Sequence, residues 1–287
     1  MDLQLLKPKW WMLLAMVLGC GDASEQDTSG SMASYGECDQ PEVTQVAVIT
    51  EMWFARIQDG VTWGADLDGS TTGCGIDDYV DPEGSGGIDN ALGGLVPILE
   101  LTEGAAIEVY LQNMINSGEL LLMIEIEDVD DPMNDTCVDV NLVRALGSPT
   151  VGTDRIIESG QTFDRDPHLP SSRTEGMSIS SGTLLATPLY VSLPLQYFDD
   201  HITINLQGST LRVDQGIDGH TSGYLAGGVL TEEITSFVDG RGDIDIGDLM
   251  ISLLETNADL WPDENGACKG ISFVLEYRAK PAFFYVD

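Results

Sequence analysis

Between Arg56 and Arg144 the chain has no lysine, arginine or histidine, although the same stretch carries nineteen aspartates and glutamates. Salt bridges within that segment are therefore excluded. Its carboxylates must stay solvated, pair with bases far away in the sequence, or bind cations. Bases are scarce throughout: 12 Lys and Arg stand against 48 Asp and Glu, for a formal net charge of −36. Phosphate binding needs clustered bases, so nucleic acid is excluded as a partner. Docking of the folded part on anionic headgroups is disfavoured for the same reason. No run beyond the N-terminal region is long and apolar enough to cross a bilayer, which takes roughly twenty residues. No two cysteines have C-x-x-C spacing, and no histidine stands near Cys38, Cys74, Cys137 or Cys268, which argues against zinc. The only histidines are His168, His201 and His220, and no repeat of fixed period is present.

What is present begins with an export signal. Lys7 and Lys9 precede the apolar run Trp10–Leu18, whose nine residues are too few to span a bilayer and suit the core of a secretory signal. The run ends in Val17-Leu18-Gly19-Cys20, which resembles a bacterial lipobox. In proteins with that motif the cysteine is acylated and becomes the first mature residue. Each buried CH2 of the acyl chains contributes about 0.8 kcal/mol, so several chains anchor a protein without a spanning helix. A lipid bilayer is thus the expected partner, with Cys20 as the lipidation site. The alternative is an ordinary signal peptide cut elsewhere, with Cys20 in a disulfide. Gly21 rather than Asp follows the cysteine, which leans toward the outer membrane. Residues 21–42 are rich in Ser, Gly and acids with almost nothing to bury, so they read as a flexible tether.

About 245 residues remain, from 43 to 287, enough for one large domain with a real core, and 43% of the chain is hydrophobic. Four cysteines beyond Cys20 read as two disulfides in an exported chain, with three connectivities open. Val43–Arg56 reads as an opening strand and 60–87 as a long Gly- and Asp-rich loop. Asp89 is placed to cap a helix running to Glu100 and bent by Pro97, and a second helix spans Ala105–Asn116 and stops at Gly118. Glu119–Asp128 and Thr136–Leu146 form a hairpin around an acidic turn. Further strands are expected at 155–157, 177–179, 183–185, 189–198, 202–207 and 210–213, with Pro188 and Pro194 pushing one toward an edge or a bulge. Helical spacing returns at 229–238 and 246–257 after a glycine-rich stretch, and 271–286 closes in strand. The expected class is α+β: a mainly antiparallel, sandwich-like body with helices near 88–117 and 229–257.

The richest constellation is Asp66-Leu67-Asp68-Gly69, then Asp77-Asp78, Asp81-Pro82-Glu83-Gly84 and Gly87-Ile88-Asp89-Asn90. Alternating carboxylates followed by glycine put hard oxygen ligands on one side of a tight turn, an arrangement that suits calcium. Asp66, Asp68, Asp77, Asp78, Asp81 and Asp89 are the candidate ligands, and calcium the candidate cofactor. A solvated acidic turn is the competing reading, because the twelve-residue EF-hand spacing is missing. This run, with the lipobox, the acidic tether, the TSGYLAGGVL segment and the late Cys268, resembles uncharacterised secreted lipoproteins of myxobacteria and related delta-proteobacteria. The resemblance covers most of the mature chain and implies export and anchoring, but no activity.

Other acidic groups are weaker candidates. Glu125, Glu127, Asp128, Asp130, Asp131 and Asp135 surround the hairpin turn and read as solvated. Asp239–Asp245 resembles a dockerin-type loop only in its last residues, since Phe237 and Arg241 stand where ligands belong. For catalysis, Gly219-His220-Thr221-Ser222-Gly223 lacks the serine position of a nucleophile elbow, and Asp199-Asp200-His201 reads as a surface turn. Trp53, Trp63, Tyr79 and Trp261 could stack on sugars or serve the core. The sequence therefore favours a non-enzymatic envelope lipoprotein with a binding or structural domain, whose protein or glycan partner it does not name. A carboxylate-based hydrolase of an extracellular glycan is the alternative.

Overall fold

A computed structural model describes residue 38 and residues 43–101, 106–169, 171–197, 200–216, 218–239 and 247–286. Cys20, the signal region and most of the tether lie outside the described residues, as do residues 240–246 of the dockerin-like stretch.

The first described element is β1 (Gln45–Phe54). Four very short strands then punctuate the acidic loop: β2 (Thr72–Gly73), β3 (Ile76–Asp77), β4 (Tyr79–Val80) and β5 (Gly86–Ile88). Two helices follow, α1 (Ala91–Leu99) and α2 (Ile107–Ser117). Next come β6 (Leu121–Glu127), β7 (Asn134–Leu146), β8 (Gln161–Arg165) and β9 (Ser172–Ser180). Three long strands, β10 (Thr183–Tyr197), β11 (Asp200–Gln215) and β12 (Thr221–Leu230), lead to α3 (Thr231–Asp239) and α4 (Gly247–Thr256). The last strands are β13 (Leu260–Pro262) and β14 (Cys268–Phe284). None of the described helices is long and apolar enough to cross a membrane.

The chain is mainly antiparallel β with four described helices, and its pairings close on themselves. The order β1-β6-β7-β9-β10-β11-β12-β14 returns to β1, and every step is antiparallel. This ring is a barrel, so the two open sheets of the expected sandwich are not what the pairings describe. Alternation of apolar and polar residues marks which face is buried, and that pattern is the same in a sandwich and a barrel. Closure leaves few unpaired strand edges. The narrowest seam is β9–β10, held by the pairs Thr183–Ser180 and Leu184–Ile179. Beyond it β10 shifts register between Ala186 and Val191, around Pro188, where a missing N–H favours an irregularity.

Register shows what fills the ring. Met52 of β1 faces Tyr277 of β14, which faces Gly223 of β12 and, through it, Val213 of β11. Met52, Leu211, Val213, Leu225, Leu275 and Tyr277 are all buried in one continuous core. The alternate residues Trp53, Glu276, Tyr224 and Arg212 lie on the outer wall. Helix α2 contacts β1 and β10, which stand on opposite sides of the ring, so it lies across one end of the barrel. Its Leu111, Met114 and Ile115 enter the core, while Gln112 donates to the Thr50 carbonyl. Gly118 ends it at φ 85°, and a Cβ there would sit 2.2 Å from the Gly147 carbonyl oxygen.

Two expectations need correction. Asp89 does not cap α1: the side chain of Asn90 accepts from the Gly93 N–H, which frees Asp89 to turn elsewhere. The glycine-rich stretch lies in β12, paired on both sides. Its glycines are needed for close approach, since a Cβ on Gly228 would meet the Trp261 ring at 2.5 Å. The strand expected at 155–157 amounts to an isolated bridge between Val151 and Ile157. The disulfide connectivity is Cys38–Cys137 and Cys74–Cys268, with Cα separations of 5.5 and 6.1 Å.

Ile115, only 1% exposed, is the side chain of α2 most fully enclosed by the barrel. Ile115→Ala is expected to destabilise the fold by about 2–5 kcal/mol, the range for a buried aliphatic truncated in a close-packed core, as measured by urea unfolding.

Candidate cation site in the acidic loop

The loop is pinned before it can act. At its start Trp63, Ala65 and Leu67 pack on Tyr224, Ala226 and Val274 of the barrel's outer wall. Arg212, buried on that wall, reaches Glu83 at 2.6 Å and Asp214 at 3.0 Å and lies 4.8 Å from the Trp63 ring centre. Both acids hold its pKa above the ordinary arginine value in spite of burial. Cys74–Cys268 fastens the middle of the loop to the start of β14. At its end Asn90 donates to Thr62 Oγ1 at 2.8 Å and to the Ala55 carbonyl at 3.3 Å.

Within this frame Asp66, Asp68 and Asp89 each offer an oxygen within 4.8 Å of the others. Asp66 and Asp68 are exposed, whereas Asp89 is 1% exposed. Asp89 Oδ2 accepts from the Leu67 N–H at 2.6 Å, and its buried Oδ1 has no hydrogen-bond partner among the described residues. A buried oxygen with no donor is costly unless a proton or a cation supplies the missing charge. Burial raises the Asp89 pKa to about 7, helped by Asp78, Asp259 and Asp68. These three acids can therefore hold a metal ion: two exposed carboxylates, each with one oxygen accepting from a backbone N–H of its own turn, stand beside one buried carboxylate.

Of the other expected ligands, Asp78 adjoins the group without joining it. Burial raises its pKa, Asp68 and Asp66 adding to the effect, and its Oδ2 is buried without a partner among the described residues. Asp77 is an exposed residue of β3. Asp81 is engaged in a turn, its Oδ1 accepting from the N–H groups of Glu83 and Ser85. Asp259 is a member of the electrostatic cluster that sequence reasoning missed. It is 3% exposed and accepts from both the N–H and the hydroxyl of Ser272, whose oxygen in turn accepts from the Ala91 N–H. Burial lifts its pKa to about 6. The one signal in the sequence is an acid set between Ala258 and Leu260. Tyr79 borders the same cluster, its phenol pKa raised by burial and by Asp259 and Asp78.

Several acids near the β6–β7 turn are satisfied in other ways. Glu125 pairs with Arg165. Arg173 lies 2.6 Å from Glu127 and 2.5 Å from Asp139. Asp135 accepts from the N–H groups of Asp130, Asp131 and Cys137, closing its turn and lowering its pKa. A separate cleft of about 220 Å³ on the outer wall includes Trp53, Trp63, Tyr224, Asp214, Glu276 and Arg278. Burial raises the pKa of Glu276, while a hydrogen bond from Trp53 opposes the rise. Trp63 is engaged by Arg212 and by Tyr224, whose ring centre is 6.3 Å away. No known protein family, curated protein or solved structure matches the chain.

Asp89 and Asp259 bind their protons more tightly folded than unfolded, where an aspartate titrates near about 3.9. In chelator, their contribution to stability is therefore fully present below about pH 4 and is lost as pH rises through about 6 and 7. Asp89→Asn should flatten this decline. Melting temperatures in chelator at pH 5 and pH 8 are expected to differ less for the variant than for the natural chain.

Proposed function

We propose that this protein is a lipid-anchored lipoprotein of the bacterial envelope, displaying a barrel domain whose acidic loop is held by calcium. Its role is binding or structural rather than enzymatic. The observation that carries the ion is the buried Asp89 carboxylate, whose Oδ1 has no donor among the described residues and which brings an oxygen within 4.8 Å of those of Asp66 and Asp68. Calcium suits the site because it accepts irregular sets of oxygens, whereas magnesium demands near-octahedral geometry. The donors are all carboxylate oxygens, which disfavours softer metals. Anchoring is supported by Val17-Leu18-Gly19-Cys20 and the polar stretch after it, and the resemblance to myxobacterial lipoproteins points the same way. Glu276 beside Trp53 is the feature that supports a glycan hydrolase as the second reading. It is weakened because Trp63 is already engaged by Arg212 and Tyr224.

Calcium that binds the folded chain alone, at a hundredfold excess over its dissociation constant, stabilises by about 2.7 kcal/mol. A rise in melting temperature with calcium over chelator is expected for the mature protein, and a much smaller one for Asp89→Asn. Equal curves for the natural chain would overturn the ion. Cys20→Ser is expected to move the protein from the membrane to the soluble fraction on cell fractionation; continued membrane association would remove the anchor.

A further inference from the structure

The barrel has a second end. Helix α2 lies near Thr50 and Phe54, at the late end of β1. A cavity of about 340 Å³ opens at the early end, where β1 begins and β6 and β11 finish. Its volume falls within the range of small-molecule pockets, which the mouths of barrels commonly provide. The walls include Ala47, Ile124, Ile126, Pro281, Ala282 and Phe283. None of its lining residues is charged, although the chain carries 48 acids.

Four polar side chains, Thr44, Gln45, Gln215 and Thr221, interrupt this apolar wall, and the last two are set apart by their burial. Gln215 and Thr221 are cross-strand neighbours at the end of the β11–β12 hairpin and share the inward face with Val213 and Tyr277. Gln215 Nε2 and Thr221 Oγ1 are both buried, and neither has a hydrogen-bond partner among the described residues. An amide nitrogen can only donate, so the group it lacks is an acceptor. Adjacent donors in a neutral apolar cup define a ligand by what is missing.

We infer that the open mouth of the barrel binds a small, uncharged, mainly apolar molecule bearing a carbonyl or similar acceptor, which meets Gln215 and Thr221. An anion is disfavoured by the negative charge of the chain, and a cation finds no carboxylate in the wall. The site is independent of the acidic loop.

The test uses the naphthalene ketone dye prodan, which is uncharged, carries one carbonyl and shifts its emission to the blue on leaving water. Titration into the mature protein should give saturable one-to-one binding with blue-shifted emission. Gln215→Met keeps the size of the side chain and removes the donor; about fivefold weaker binding is expected, the effect of one hydrogen bond. Phe283→Ser alters a rim residue that is 58% exposed, so folding should be untouched while binding weakens. Melting curves verify that both variants are folded. Absence of saturable binding to the natural chain would overturn the inference and leave a mouth occupied by water alone. Equal affinity of the natural chain and Phe283→Ser would overturn it too, by placing the dye elsewhere.

Discussion

The carboxylate of Asp89 is enclosed in a part of the chain that contains no base to neutralise it. A charge in that position is tolerated only with a proton or a counter-ion beside it. The elements around it prevent the simplest escape, which is rotation into water. The Leu67 N–H holds one oxygen, Asn90 takes over the helix cap that would otherwise compete for the carboxylate, and Cys74–Cys268 fixes the loop to the barrel wall. The site is thus a consequence of anchoring: the loop is bound so firmly that its most buried acid must find chemistry where it stands.

Elsewhere the excess of acid is managed by a few arginines, each serving several carboxylates. Arg56 reaches Glu100 and Glu108, Arg173 reaches Glu127, Asp139 and Glu175, and Arg212 reaches Glu83 and Asp214. A planar guanidinium with five donors can bridge acids in this way, whereas an ammonium is a single point of charge. Most of these pairs join residues more than thirty positions apart, so the arginines also cross-link strands distant in sequence. Around Asp66, Asp68 and Asp89 no such arginine contact is present among the described residues, and the contrast is what distinguishes that group.

Local features were legible in the sequence and closure was not. The Gly118 stop, the β6–β7 hairpin and the opening strand follow from glycine at positive φ, from alternation and from turn chemistry. The barrel depends instead on pairings such as Ala47 with Pro281, which no local pattern encodes. The part residues 219–228 play was not legible either: their glycines make room in β12 for Trp261 and for neighbouring backbone, contacts that lie far off in the sequence. At the site, the run of acids was conspicuous, and Asp66, Asp68 and Asp89 were among the residues it marked. Which acid turns inward was hidden, because Asp89 and Asn90 are equally good caps on paper. Asp259 was hidden by distance along the chain.

The strand β14 has a consequence for how the molecule assembles. It pairs with β1, β12, β13 and β8, and it carries one half of the disulfide that ties down the acidic loop. The first strand of the ring therefore waits for the last, more than two hundred residues later. Contacts of such long range form slowly, because the entropy of closing the intervening loop must be lost before they return anything. Until β14 docks, β1 and β12 each have an open side.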